Sequence, residues 1–375
     1  MQFDFSEDHA SIRDLAQQIF ATRTDTTVLQ AIERDGGFDA ELWKNLSESD
    51  LLSIAVPEAA GGAGMGMLGL VALLEQQGRR VAAAPVWSTV ATAALPLAEF
   101  GSDVHKQTWL PGLLDGSRIV TGAFEVGDGS DIAVRAETSG DGWSLTGTLA
   151  SVPAAQQAAA ILVPVRQPDG EPAVVIVRTD ADGVTRTAVD VTSHEAHAAV
   201  ELSGVAVAAD DVLPADGADV IAWTLRRARI ALAALAVGVC SQALAMTAKY
   251  VSERVQFGRP LSTNQAVSVR AADAHMDIEA IRLTTLRAAW LLDLGREDEA
   301  ETAALVAKWW ASRGGLRAVH ATQHLHGGIG ADVDFPIHRY FIWGRQIAFS
   351  LGSADAVGAE LGDALEAGAA IGSPA

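Results

Sequence analysis

Cysteine and basic charge are both scarce in this chain. Its 375 residues include one cysteine, Cys240, which lies in an apolar helical pattern and has no second thiol with which to form an internal disulfide. Lys and Arg number 27 against 47 Asp and Glu, so the formal net charge is -20. That charge opposes nonspecific binding to nucleic acid or to an anionic membrane surface. We therefore expect a cytoplasmic protein without a nucleic-acid or membrane partner.

We also expect neither an export signal nor a membrane span. The first residues include Asp4, Glu7 and Asp8, where a secretory signal would carry basic residues. The most apolar stretch, residues 230–246, is rich in alanine and is interrupted by Ser241 and Gln242. It therefore predicts a buried helix of a bundle and not a membrane span. The length is sufficient for two or three domains.

Helical and strand patterns follow one another in three blocks. Ser6 is placed to cap a first helix, and further helices are predicted at about 40–49, 65–78 and 89–99. Residues 118–212 alternate between apolar and polar side chains and contain Asp-Gly turns, which predicts a small antiparallel sheet closed into a barrel. Long helical patterns at 219–254, 264–295, 298–324 and 346–367 predict a four-helix bundle. The expected fold class is α+β, with an N-terminal helical domain at 1–116, a β-barrel domain at 117–215 and a bundle at 216–375.

The segment from Lys249 to Gln265 ends one helical pattern and begins the next. Phe257 and Gly258 turn the chain, and Pro260 prevents the first helix from continuing. An arginine beside a helix start suits a phosphate or pyrophosphate, because its forked donors match paired oxygens and the helix N-terminus adds partial positive charge. Arg254 therefore indicates an anion site, although a salt bridge at a helix corner would give the same pattern.

Three motifs carry a resemblance to a known family. The run Arg254-x-x-Phe257-Gly258-x-x-Leu261-x-x-x-Gln265 resembles a signature of the acyl-CoA dehydrogenases, which holds the ADP half of an FAD belonging to a neighbouring subunit. Residues 125–131 are similar to the flavin loop of that family, and residues 326–330 to its Gly-Gly-x-Gly turn. The resemblance implies FAD as cofactor, an acyl-CoA thioester as substrate and an electron-transfer flavoprotein or similar acceptor. It implies no metal site.

The residues that match the nucleotide-binding motifs are largely retained. His324 stands where the family has a glutamine, and Gln323 lies one place earlier; a histidine can still donate a hydrogen bond to a pyrophosphate oxygen. The cofactor-binding residues implied by the resemblance are Arg254, Gln256, Phe257, Leu261, Gln265, His324, Gly327 and Gly328.

The residues that match the reactive centre are replaced. Dehydrogenation between the α and β carbons needs a base for the α proton and a flavin for the β hydride. The two positions at which the family carries its glutamate hold Leu351 and Ala228, and neither can accept a proton. Near the flavin ring, Phe124 replaces a threonine, and the segment from Ser151 to Pro153 replaces Trp-Ile-(Thr/Ser). No catalytic residue is therefore assigned.

This asymmetry resembles the non-catalytic subunit of actinobacterial heterotetrameric acyl-CoA dehydrogenases of steroid side-chain breakdown, in which two catalytic and two non-catalytic chains share two flavins. It implies a homologous catalytic partner in an α2β2 assembly and a bulky acyl group such as a steroid side chain. Two alternatives stay open. The chain could be an active homomeric dehydrogenase with a relocated base, or a flavin-free binding protein, and replacing Arg254 would leave flavin content unchanged in the latter case.

Overall fold

The N-terminal part of the chain is helical and begins at a capping serine. The computed structural model describes residues 5–22, 25–125 and 132–369. Ser6 caps the first helix by accepting a hydrogen bond from the backbone N–H of His9, as predicted, and Asp39 caps the third through the N–H of Leu42. The helices are α1 (Glu7–Ala21), α2 (Thr26–Arg34), α3 (Ala40–Glu48), α4 (Gly66–Arg80), α5 (Val86–Thr89), α6 (Leu95–Phe100) and α7 (Asp103–Leu114).

The sequence patterns located α1, α3 and α4 but missed two helices of this part. A π-helical turn over Val90–Ala94 joins α5 to α6, where one helix was predicted. Neither α2 nor α7 was predicted. In α7, Pro111 and a scattered apolar pattern conceal a helix that begins at a capping box between Ser102 and His105.

The middle of the chain forms one mixed sheet of seven strands, with the order β1-β4-β2-β3-β7-β6 and with β5 paired to β4. The β1–β4 and β2–β4 pairs are parallel, so the expectation of a purely antiparallel sheet was wrong in this detail. Among the described strands no ladder closes the ends of this order into a barrel. The strands are β1 (Ile119–Gly122), β2 (Val134–Ser139), β3 (Gly142–Pro153), β4 (Ala158–Arg166), β5 (Pro172–Arg178), β6 (Val184–Ala188) and β7 (His197–Val207).

The C-terminal part is again helical. Its long helices are α8 (Gly217–Glu253), α9 (Gln265–Asp293) and α10 (Glu297–Leu325), and a short hairpin of β8 (Val255–Gln256) and β9 (Arg259–Pro260) separates the first two. The fourth predicted helix is instead two, α11 (Ile337–Phe349) and α12 (Ala354–Glu366). Leu351 and Gly352 have φ of +54° and +108°, which ends α11, and the Ser353 side chain caps α12 through the N–H of Ala356. The helix–sheet–helix fold class is confirmed.

The described residues pack into two compact units. One takes its residues from Met1–Gln30, Val71–Ala82 and Arg229–Ala375, and the other from Ala31–Leu70 and Ala83–Ala228. Within the first unit α4 and α8 approach closely, because a Cβ added at Gly238 would lie 2.0 Å from the carbonyl oxygen of Glu75. The predicted domain boundaries near residues 116 and 215 stay a prediction.

One helix of the described chain, α8, is long and apolar enough to cross a membrane. Its most apolar 18-residue stretch is 72% buried within the protein, which is the behaviour of a core helix, so its length and composition are weak evidence for a membrane span. Cys240 lies in this helix and is fully buried, and burial raises the pKa of its thiol to about 12. The thiol therefore stays protonated and unreactive.

Candidate functional site

The turn after α8 presents the first candidate residues to solvent. β8 and β9 pair through Val255 with Pro260 and Gln256 with Arg259, which leaves Phe257 and Gly258 as a two-residue loop. Both have positive φ, +56° and +77°, as a type I′ turn requires. For Phe257 that conformation costs roughly 1–2 kcal/mol, and its side chain is 97% exposed. The strained turn thus exposes the Phe257 ring to solvent, where it can contact another molecule.

Arg254 stands at the base of this hairpin, directly after α8. Its backbone N–H donates to the carbonyl of Tyr250, and its own carbonyl accepts from the N–H of Leu261. The guanidinium is exposed, and within the described part of the chain it forms no hydrogen bond or ion pair. Arg259 differs, because its guanidinium donates to the Asn264 side chain at 2.8 Å. Arg254 therefore presents a guanidinium that is available to an anion.

The glycine turn after α10 supplies the second group of candidates. Gly327 has a φ of +64° and starts a 3-10 turn that runs to Ala331. No atom lies within 4 Å of a Cβ added at Gly327 or Gly328, so a ligand can approach the backbone there. The side-chain amide of Gln323 donates to the carbonyl of Gly330 at 2.8 Å and so fixes the turn, while His324 is exposed. This contact explains the displaced glutamine, since Gln323 is structural and His324 faces solvent.

An aromatic stack brings the two turns together. The ring of Tyr250, one helical turn before Arg254, stacks on His326 with centroids 4.6 Å apart, and Phe335 lies against both rings. His326 Nδ1 hydrogen-bonds the carbonyl of Thr322 at 2.8 Å, which makes that nitrogen the donor. Burial lowers the pKa of His326, although the hydrogen bond opposes this shift. A neutral imidazole therefore sits directly before Gly327.

The residues assigned to the nucleotide end of FAD thus lie at one end of the C-terminal helices. Gln265 is exposed at the start of α9, where the free N–H groups of the helix add partial positive charge. The donor set that suits a pyrophosphate consists of the guanidinium of Arg254, the amide of Gln265, the exposed imidazole of His324 and the open backbone of Gly327 and Gly328. This donor set fits the ADP half of FAD. Gln256 is exposed and Leu261 half-buried in the same segment.

The segments that match the family's flavin-ring loops, unlike the nucleotide-binding turns, present few free polar groups among their described residues. Phe124, after β1, is 1% exposed and offers no polar group. Ser151 in β3 is already occupied by a hydrogen bond of 2.8 Å between its Oγ and Nδ1 of His197. Pro153 is buried and pairs with His197 in the sheet. Residues 126–131, the rest of the predicted flavin loop, lie outside the described residues.

Neither family position for the glutamate base carries a polar side chain. Ala228 is fully buried in α8, and Leu351 is 4% exposed at the junction of α11 and α12. The Leu351 carbonyl accepts a hydrogen bond of 3.2 Å from Nε of Arg229. The two terminal nitrogens of Arg229 bind both carboxylate oxygens of Glu360 in α12, at 2.7 and 2.8 Å. Arg229 therefore acts as a brace of this junction, and both oxygens of Glu360 are engaged.

A buried lysine, which sequence reasoning missed, completes the same junction. Lys308 in α10 has no exposed surface, and its ammonium donates to Ser312 at 2.6 Å, to the Gly352 carbonyl at 2.8 Å and to the Ile347 carbonyl at 3.1 Å. A cation at the carboxyl end of α11 is also stabilised by the partial negative charge of the helix dipole there. The available signal was a lysine within an apolar run of α10. Over the described residues, no group of three His, Cys, Asp or Glu side chains could hold a metal ion.

Two family profiles match most of the chain. The acyl-CoA dehydrogenase N-terminal domain matches residues 6–117, and the acyl-CoA dehydrogenase C-terminal domain matches residues 215–359. The chain therefore belongs to the acyl-CoA dehydrogenase family, whose members are FAD-dependent flavoproteins.

Its relatives include a mycobacterial dehydrogenase and chains of two solved structures. The acyl-CoA dehydrogenase FadE27 of Mycobacterium tuberculosis is 38% identical over 325 residues, which cover 84% of this chain and 86% of that protein. A variant of the Tcur3481-Tcur3483 steroid ACAD is 45% identical with a TM-score of 0.90, covering 97% of this chain and 99% of that one. The ChsE4-ChsE5 complex from Mycobacterium tuberculosis is 35% identical with a TM-score of 0.92, covering 100% of both chains.

Proposed function

We propose that this chain is the non-catalytic subunit of a heteromeric, FAD-dependent acyl-CoA dehydrogenase. It binds the ADP half of a flavin whose ring and catalytic carboxylate belong to a homologous partner chain. The observation that carries this proposal is the α11–α12 junction, where Leu351 fills the position of the base and Arg229 is already paired with Glu360. The Tcur3481-Tcur3483 steroid ACAD and the ChsE4-ChsE5 complex among its relatives support a heteromer.

The division of labour follows from the chemistry of each region. FAD, when bound, takes up the hydride from the β carbon of the acyl-CoA. Arg254 and the backbone of Gly327 and Gly328 bind and orient its pyrophosphate, and the amide of Gln265 adds a donor at the start of α9. Leu351 and Ala228 cannot take the α proton, so that step and the acyl pocket are assigned to the partner.

The substrate in this proposal is a CoA thioester with a bulky acyl group, such as a steroid side chain. Support comes from the steroid ACAD relative and from the absence of a carboxylate at residues 228 and 351, where a partner chain would have to complete the pocket. An electron-transfer flavoprotein or similar carrier would accept the electrons. A cytoplasmic location agrees with the single cysteine and the acidic charge.

Flavin stoichiometry in the purified complex tests this function. The chain is co-expressed with a homologous dehydrogenase that carries the glutamate base, and FAD released by denaturation is counted per chain. We expect one flavin per two chains, with flavin bleaching by an acyl-CoA only when both chains are present. A yellow homotetramer of this chain with one flavin per chain, bleached by acyl-CoA without a partner, would establish instead an active homomeric enzyme with a relocated base.

A further inference from the structure

A second cavity lies among α1, α4, α8 and α9, and it shares no residue with the FAD assignment. It has a volume of about 380 Å³, and its walls include four arginines, three glutamines and a single glutamate. The arginines are Arg13 of α1, Arg79 and Arg80 of α4, and Arg282 of α9. In a chain with a net charge of -20, a cluster of four arginines around one cavity is unexpected and indicates a candidate anion site.

One of these arginines has no carboxylate partner among the residues that the structure describes. Arg13 pairs with Asp14 at 2.9 Å, Arg79 with Glu75 at 3.0 Å and Arg282 with Glu279 at 2.6 Å. Arg80 forms no ion pair or hydrogen bond with any residue of 5–22, 25–125 or 132–369. Among the described residues, four arginines against those three carboxylates leave one positive charge at the cavity.

A buried amide on the same wall provides a second, independent sign of a ligand. Gln76 is 4% exposed and lines the cavity beside Arg79 and Arg80. Its side-chain amide has no hydrogen-bond partner in the part of the chain that the structure describes. Because Gln76 lines the cavity, its amide can donate to and accept from a molecule bound there. An oxygen-rich ligand would supply the missing acceptor.

We propose that this cavity binds a phosphoryl group, either as inorganic phosphate or as the phosphate of a small ester. Four arginines and an amide line one space, and a tetrahedral oxyanion has enough oxygens to accept from several donors at once. A carboxylate has two oxygens and would leave some of these donors unpaired. Because the site and the proposed FAD half-site use different residues, either proposal can fail without the other.

Phosphate titration of the purified full-length complex tests the site. Binding of inorganic phosphate is followed by calorimetry at constant ionic strength, with chloride as the background anion. We expect saturable binding with a dissociation constant on the order of 1 mM or lower. Arg80→Gln should weaken binding about tenfold or more, and Gln76→Leu should also weaken it. Arg135→Gln, which removes the same charge from an exposed position on β2, should leave it unchanged.

The outcomes separate the possible sources of the phosphoryl group. Tighter binding of adenosine 3′,5′-bisphosphate than of inorganic phosphate, lost in Arg80→Gln, identifies an ester as the ligand; equal or weaker binding identifies free phosphate. The proposal is overturned if phosphate does not saturate the wild-type complex, or if Arg80→Gln and Arg135→Gln weaken binding equally. The Gln76→Leu variant keeps the charge of the site, so its response separates a built site from general attraction.

Discussion

Replacing Arg254 with glutamine removes the guanidinium on which the proposed FAD half-site depends. Arg254 is exposed and has no intramolecular ion pair among the described residues, so the substitution breaks no side-chain contact that supports the fold. The free energy of unfolding should therefore change by less than about 0.5 kcal/mol. A hydrogen bond to a charged group contributes about 1.5–3 kcal/mol, which corresponds to a loss of FAD affinity of roughly ten- to hundredfold.

Arg259 provides a matched control in the same hairpin. Arg259→Gln removes an identical charge, but the guanidinium of Arg259 is already bound to the Asn264 side chain at 2.8 Å. We therefore expect this variant to bind FAD nearly as tightly as the wild-type complex does. The assay removes FAD from the purified complex and follows its return by flavin fluorescence, with the melting temperature of each variant measured alongside.

The comparison between the two variants decides the result. If Arg254→Gln binds FAD as tightly as wild type, the nucleotide lies elsewhere and the half-site is wrong. If both variants lose affinity equally, general electrostatic attraction accounts for the effect and Arg254 makes no specific contact. Selective loss in Arg254→Gln, with an unchanged melting temperature, is the outcome that the geometry of the hairpin requires.

Three further substitutions test other parts of the structure. Leu351→Glu in this chain alone should produce no bleaching of flavin by acyl-CoA, because the described residues that match the family's ring-binding segments, Phe124 and Ser151–Pro153, offer no free side-chain donor. Activity would mean that the ring already sits in this chain. Lys308→Met should lower the unfolding free energy by about 3 kcal/mol or more, since it leaves buried acceptors unpaired. Chemical denaturation measures the unfolding free energy, and a loss below about 1 kcal/mol would contradict the prediction. Burial lowers the pKa of His197 to about 4 from 6.5, so the unfolded chain binds more protons between these values and stability falls as the pH drops from 6.5 to 4. His197→Gln should reduce the loss of unfolding free energy between pH 6.5 and pH 4 by about 3 kcal/mol. Denaturation at several pH values would then show a shallower dependence of unfolding free energy on pH. An unchanged slope would show that His197 is not the titrating group.

The sequence predicted those features that local patterns determine. The change from helical to alternating patterns near residue 118 and back near 219 marked the helix–sheet–helix order. Phe257-Gly258 followed by Pro260 predicted the turn between α8 and α9, because positive φ and a missing N–H act on neighbouring residues. The exposed state of Arg254 could not be read from the sequence, and the anion site there stays a prediction.

Contacts between distant residues could not be predicted in this way. Arg229 and Glu360 lie 131 residues apart, and Lys308 reaches carbonyls 39 and 44 residues away. The break between α11 and α12 depends on a positive φ at Leu351, a residue type that gives no local signal for that conformation. The parallel pairing of β1 with β4 was missed for the same reason, since alternation along a strand predicts burial but not the direction of its partner.

The α11–α12 junction explains how a chain can lack the base without losing stability. Arg229 is 8% exposed and Lys308 is fully buried, so both cations need acceptors. A carboxylate at position 351 would be one such acceptor, and its replacement by leucine alone would leave positive charge poorly compensated in the interior. Here Glu360 binds Arg229 through both oxygens, and backbone carbonyls together with Ser312 bind Lys308. Because these contacts satisfy both cations, the leucine is a stable occupant of the position, which is consistent with the proposed assignment of the base to a second chain.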